Sequence, residues 1–202
     1  MKKHILKAVA ILLILVMTAF TLVSCKKDVY QVEMEIEGFG VIKMRLLRSS
    51  APATVDNFLK LIEEDFYDGL TIIRAQEGFV IQGGCPNKDG SGSSAKTIPG
   101  EFSSNGYYKN RISHKEGVIS MARSNDPDSA SCQFFITLGD ARSSLDGSYA
   151  GFGYIEEESM AVVHAVAEAM FPYADRSMGF VYDVSKQPVI KDVRVVGSYN
   201  ID

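Results

Sequence analysis

From residue 29 the chain alternates. Tyr30, Val32, Met34 and Ile36 are apolar, and Gln31, Glu33, Glu35 and Glu37 are polar, which predicts a half-buried strand over 29–37. Gly38-Phe39-Gly40 reads as a turn, and alternation resumes from Val41 to Leu47, with Ile42, Met44 and Leu46 opposite Lys43 and Arg45. Two such runs joined by a short glycine turn predict a hairpin. The period then changes. After Pro52, which suits a first helical turn, Val55, Phe58, Leu59 and Ile62 recur at helical spacing, predicting an amphipathic helix ending near Asp65. Short apolar runs follow at 70–75, 79–83, 117–122, 133–138 and 151–155, with a Gly-, Ser-, Asn- and Lys-rich stretch over 84–116. Long loops of that kind in compact domains usually carry function. Residues 159–170 put Met160, Val163, Ala167 and Met170 on one helical face, and the chain closes on a strand from Val189 to Val196. Many short strands and two isolated helices predict a mainly β fold, a closed antiparallel barrel with helical caps, although periodicity alone does not separate a barrel from a sandwich.

The first 25 residues follow a different logic. Lys2, Lys3 and Lys7 precede an apolar run from Ala8 to Val23, and small residues then lead to Cys25. This is the layout of a secretory signal, so residues 1–24 are expected to be removed, 25–29 to form a short tether and 30–202 to form one domain. Leu22-Val23-Ser24-Cys25 resembles the bacterial lipobox, which implies cleavage before Cys25 and lipid on its sulfur. The competing reading is an uncleaved anchor. At ~1.5 Å per residue the run from Ala8 to Val23 falls somewhat short of a ~30 Å hydrocarbon core. Either way the domain is expected outside the cytoplasm.

Composition narrows the partners. The 202 residues are 46% hydrophobic and 23% charged, which excludes collagenous, disordered and coiled-coil classes. Residues 1–24 hold three lysines and no acid, so their loss leaves 18 basic and 25 acidic side chains, a net charge of −7. A surface that acidic repels phosphate, so no nucleic-acid partner is expected. His4 leaves with the leader, and His114 and His164 have no Cys, His, Asp or Glu at ligand spacing, so no metal is expected. Cys85 and Cys132 could pair or stay as thiols, and the sequence leaves both open. The Gly-Ser stretch after Gly83-Gly84 lacks the Lys-Ser/Thr ending and following helix of a phosphate-binding loop.

Three ordered segments carry a resemblance. They are Tyr67-Asp68-Gly69-Leu70-Thr71-Ile72-Ile73-Arg74 continuing through Gly78-Phe79-Val80-Ile81-Gln82-Gly83-Gly84; Gly117-Val118-Ile119-Ser120-Met121-Ala122-Arg123 with Gln133-Phe134-Phe135-Ile136; and Leu145-Asp146-Gly147-Ser148-Tyr149-Ala150-Gly151-Phe152-Gly153. Together they resemble the cyclophilin-type peptidyl-prolyl cis–trans isomerases over roughly residues 30–197. The resemblance implies an eight-stranded antiparallel closed barrel capped by two helices, a groove for an extended Xaa-Pro peptide, and no cofactor. It implies catalytic roles for Arg74, Phe79 and Gln82, and peptide contacts from Val80, Met121, Ala122, Gln133, Phe134, Leu145 and Tyr149; strand alternation then leaves Phe135, opposite Phe134, in the core. Tyr149 stands where the family often has histidine, and Ile72-Ile73, Ala75-Gln76-Glu77, Val80 and Ser131-Cys132 also depart from the usual pattern.

Read without the family, Arg74 is a surface ion-pair residue, Gln82 and Gln133 are exposed strand polars, and the phenylalanines are core. The family reading makes chemical sense of them. Xaa-Pro rotation crosses a barrier of about 18–20 kcal/mol and makes no bond, so it needs no nucleophile. A guanidinium near the prolyl nitrogen stabilises the twisted amide, and an apolar wall strengthens that contact by lowering the local dielectric. The expected function is therefore isomerisation of Xaa-Pro bonds in secreted chains as they fold, by a monomer held to a membrane through Cys25. The alternative is a proline-peptide binding or holdase module that uses the same groove with little catalysis.

Overall fold

The computed structural model describes residues 26–94 and 96–201; Cys25 and the leader lie outside the described residues. Among these, eight strands form one antiparallel sheet: β1 Val29–Ile36, β2 Gly40–Leu47, β3 Ile72–Gln76, β4 Val80–Gly83, β5 Val118–Met121, β6 Phe134–Thr137, β7 Gly151–Ile155 and β8 Ile190–Tyr199. Their order is β3-β4-β6-β5-β7-β2-β1-β8. The expected 29–47 hairpin is β1–β2, in register from Val29↔Leu47 to Ile36↔Gly40.

The sheet is curled, but it is not the closed barrel expected from the sequence. β3 and β8 stand at its two ends and share no ladder; a single bridge joins Thr71 to Val189, with the Ile72 N–H donating to Pro188 O at 2.9 Å and the Ile190 N–H to Leu70 O at 2.8 Å. The physical reason lies at the outer edge of β3, where Ala75 N donates to Gly179 O and Val181 N to Ile73 O, so the 179–181 segment fills the edge that a ladder to β8 would need.

The two expected helices are α1, Pro52–Glu63, and α3, Met160–Met170; a one-turn helix between them, α2 at Arg142–Leu145, has no apolar period to announce it. α1 turns Val55, Phe58, Leu61 and Ile62 into the concave side of the sheet, where they meet Met34, Met44, Phe134 and Phe152. Ala51 offers α1 no side-chain cap. Glu101, only 4% exposed, supplies it from 47 residues away: Oε1 accepts from Ala53 N at 2.9 Å, and Oε2 from Thr54 N at 2.8 Å and Thr54 Oγ1 at 2.7 Å. A carboxylate there satisfies orphan N–H groups and complements the helix dipole, contributions of about 1 kcal/mol each.

Strand parity then divides the molecule. Residues on one face fill the main core. Val80, Phe135, Ala141 and Leu145 form a second, smaller buried cluster on the opposite face, flanked by Phe79, Ala122 and Tyr149. Cys85 and Cys132 are both buried free thiols, and burial pushes the Cys132 thiol up.

Candidate functional site

A row of partners crosses three strands on the outer face: Arg74 of β3 faces Gln82 of β4, and Gln82 faces Phe135 of β6. Successive side chains on a strand alternate faces, so Val80 and Gln82 share this side while Ile81 enters the core. The row floors a cavity of about 380 Å³ whose walls include Phe79, Val80, Leu145 and Tyr149. Val80 and Leu145 are nearly covered, and Tyr149 meets Phe135 edge-on with centroids 5.6 Å apart.

Arg74 is fixed at the rim from three directions. Its Nε donates to Met178 O at 2.6 Å, Nη1 to Gln82 Oε1 at 3.2 Å and Nη2 to Gln76 Oε1 at 2.6 Å. Phe79 and Phe180 flank the guanidinium at 5.8 and 5.6 Å. Burial pulls its pKa below the usual value, against the opposing fields of Tyr149 and Asp175. It stays charged, as arginine does in proteins. Of five N–H donors two remain unspent.

The 175–181 segment, which brings Met178 and Phe180, is itself tied down. The Asp175 carboxylate accepts from the Ser177 hydroxyl and from the N–H groups of Met178, Phe180 and Ser177, which holds its pKa at about 2. Ala75 N donates to Gly179 O and Val181 N to Ile73 O, so the segment lies along the outer edge of β3. Gly179 sits at φ +80°, and a Cβ there would come within 2.6 Å of Ala75 O, so only glycine fits.

The glutamines form a chain. Gln82 Nε2 donates to Gln133 Oε1 at 2.9 Å, and Gln133 Nε2 donates to Gly90 O at 2.9 Å and Gly92 O at 2.7 Å. Gln133 thus spends both donors anchoring the 90–92 loop, whereas Gln82, which lines both cavities, keeps one amide hydrogen unspent.

Two residues expected in the groove are not there. Phe134 is fully buried on the core side, edge-on to Phe58 at 5.9 Å, and Met121, its ladder partner, is 1% exposed in the same core. The groove takes Phe135 instead, with Ala122 beside it. All four residues of β6 are apolar or buried, so periodicity did not say which parity faced in. Arg74, Phe79, Val80, Gln82, Ala122, Leu145 and Tyr149 do converge on the cavity, and Gln133 lines a second one next to it. Sequence reasoning missed Phe135, Arg123, Met178 and Phe180; the last two lie 104 and 106 positions beyond Arg74, and no local signal connects them. It also missed His114, fully buried beneath the site, whose Nδ1 lies 2.8 Å from Asp146 Oδ1 and Nε2 3.0 Å from Ser120 Oγ while its ring stacks on Phe135.

The apolar cavity is lined by no carboxylate, histidine or cysteine. A held cation over a hydrophobic floor, with an amide N–H beside it, defines a site that grips and polarises an uncharged group without attacking it. Fold and site together are a curled antiparallel sheet with a cation-rimmed apolar groove on its outer face.

Comparison with known proteins gives the family. Residues 31–196 match the family model for cyclophilin type peptidyl-prolyl cis-trans isomerases. The chain is 34% identical over 162 residues to peptidyl-prolyl cis-trans isomerase B of Bacillus subtilis, covering 80% of this chain and 95% of that one. It is 39% identical over 128 residues to a peptidyl-prolyl cis-trans isomerase of Synechococcus elongatus, covering 63% and 82%. A cyclophilin type isomerase of Cryptosporidium parvum has the same fold, with TM-score 0.70 at 24% identity over 84% of this chain and 99% of that one. The chain belongs to the cyclophilin-type peptidyl-prolyl cis–trans isomerase family.

Proposed function

We propose that this chain accelerates Xaa-Pro rotation in extracytoplasmic polypeptides, assisting secreted proteins to fold while lipid on Cys25 holds it at a bacterial membrane. The observation that carries the catalytic part is Arg74, fixed by three hydrogen bonds at the rim of an apolar cavity with two N–H groups to spare. The proline ring enters between Phe79, Val80, Phe135 and Leu145. Gln82 donates its free amide hydrogen to the peptide backbone and holds one side of the bond still. As the bond twists, amide resonance is lost and the prolyl nitrogen becomes basic. The Arg74 guanidinium then donates toward it in a water-poor setting where such contacts are strong. A solved structure of the Cryptosporidium parvum relative, with TM-score 0.66 to this chain, was determined in the presence of the dipeptide Ala-Pro, which supports a peptide occupant for this groove.

The location part rests on Lys2, Lys3 and Lys7, the Ala8–Val23 run and Leu22-Val23-Ser24-Cys25. Two or more acyl chains anchor stably, since each buried CH₂ contributes about 0.8 kcal/mol. The test is exchange NMR on an Ala-Pro-containing peptide with the purified full-length chain. Catalysed cis–trans exchange at substoichiometric protein is expected. Peptide binding without faster exchange would replace the enzyme with a holdase.

A further inference from the structure

We infer that Arg123 selects peptides carrying a carboxylate close to the proline, so that the preferred substrates are Xaa-Pro segments with an Asp or Glu within about three residues of the ring. The inference rests on the isomerase reading above and names its substrate class.

Next to the apolar cavity lies a polar one of about 210 Å³. The two share Gln82, Gly90, Ala122 and Arg123. An extended peptide advances about 3.3–3.6 Å per residue. A chain with its ring on Phe135 therefore runs past Arg123 and lays a nearby side chain in the polar cavity. The lining there is rich in hydroxyls, from Ser91, Ser93, Ser124, Ser129 and Ser131, and contains no carboxylate.

Arg123 is aimed but not neutralised. Nε donates to Ser148 O at 2.9 Å and Nη1 to Ser124 O at 2.8 Å. Its Cζ lies 4.6 Å from the Tyr149 centroid and 5.2 Å from that of Phe102. These contacts fix its orientation through neutral groups. Four other arginines pair with acids, Arg45 with Glu156, Arg48 with Asp56, Arg142 with Asp140, and Arg194 with Glu33 and Asp192, whereas among the described residues Arg111 and Arg176 do not. Among the described residues Arg123 has no such ion pair, and neither does Arg74 across the groove. The acids in the bordering loops are engaged locally: Asp89 accepts from Ser91, Asp126 from Asp128 N, and Asp128 from Gly100 N and Asn105. Two guanidiniums thus face one groove on a chain whose acids outnumber its bases, 25 to 21. A peptide carboxylate gains a charge-assisted, potentially two-pronged partner there, and a peptide lysine meets two like charges.

The test compares peptides of one sequence with Glu, Gln or Lys at each of the three positions on either side of proline. The full-length chain is used at about 0.05 M and about 0.5 M salt, conditions between which the screening length shortens severalfold. Exchange NMR reads kcat/KM and a titration reads Kd. At one or more positions Glu is expected to exceed Gln about fivefold in both, with Lys below Gln and the gap shrinking in high salt. In Arg123→Gln the Glu-to-Gln ratio is expected to fall to one, and in Arg123→Lys to stay above one. Equal values for Glu and Gln at every position, or a ratio that survives in a folded Arg123→Gln, overturn the inference. Failure of the isomerase reading looks different: no catalysed exchange on any peptide, the Gln series included. The affinity ratio still decides the role of Arg123 in that case.

Discussion

Replacing Arg74 separates charge from geometry. Arg74→Ala removes the cation and all three anchoring bonds; Arg74→Lys keeps a charge but offers a point ammonium on a flexible stem. Lysine cannot reach Met178 O, Gln82 Oε1 and Gln76 Oε1 at once in the arginine's planar arrangement. Deleting one preorganised donor from a transition-state site typically costs about 2.7–4 kcal/mol, or 10²–10³ in rate. Arg74→Ala is therefore expected to lose about 10²–10³ in kcat/KM on a neutral Xaa-Pro peptide, and Arg74→Lys more than about tenfold. Stability moves little. The half-buried guanidinium bonds one carbonyl and two rim glutamines that water can serve instead, so a loss of about 1 kcal/mol or less is expected, or 2–4 °C in Tm for a domain this size. Exchange NMR for activity and thermal unfolding for stability make the measurement. A folded Arg74→Ala with near wild-type rates removes Arg74 from catalysis. Full activity in Arg74→Lys with loss in Arg74→Ala leaves charge alone as the cause and refutes the role given to the fixed fork.

The parity of β6 gives a paired test: Phe134→Ala is expected to cost about 3–5 kcal/mol in urea unfolding with peptide affinity retained by the folded fraction, whereas Phe135→Ala is expected to weaken peptide binding about tenfold or more. Burial lowers the His114 pKa, with the Asp146 hydrogen bond opposing. The unfolded chain therefore takes up that proton first, and stability present above about pH 6.5 is lost as pH falls through the lower folded value. Urea midpoints measured at about pH 8 and about pH 5 are expected to drop on acidification, less so in His114→Gln; a rise on acidification contradicts the assignment. Cys25→Ala, expressed in a bacterium, is expected to yield an uncut precursor with no acyl mass. Intact-mass spectra of the wild type showing residues 1–24 retained would remove the lipid anchor.

Much of the fold was written in periodicity. The alternation of Val32, Met34 and Ile36 against Glu33 and Glu35 marks β1 because one of its faces meets water. β5 and β6 gave existence but not orientation, since both of their faces are covered: Phe134 by the main core and Phe135 by the groove cluster. That is why motif matching placed the wrong phenylalanine in the site. Arg74, Phe79 and Gln82 were legible because they sit within nine residues on one hairpin, whose register sets Arg74 opposite Gln82. Met178 and Phe180 were not, because only the tertiary path of the 175–181 segment carries them to β3. His114 escaped for a related reason. Its partners Ser120 and Asp146 come from different elements, and its own neighbours Ser113 and Lys115 hint at neither.

The 175–181 segment has a further consequence for a protein that would spend its working life among unfolded chains. β3 ends the sheet, and a bare end strand invites any extended polypeptide to continue the ladder. Here that margin is occupied: Ala75 N and Ile73 O are already paired with Gly179 and Val181, and the Ile72 N–H with Pro188. A client cannot enrol itself as a ninth strand at this end. The cover that steadies Arg74 thus also closes this end of the sheet to any further strand.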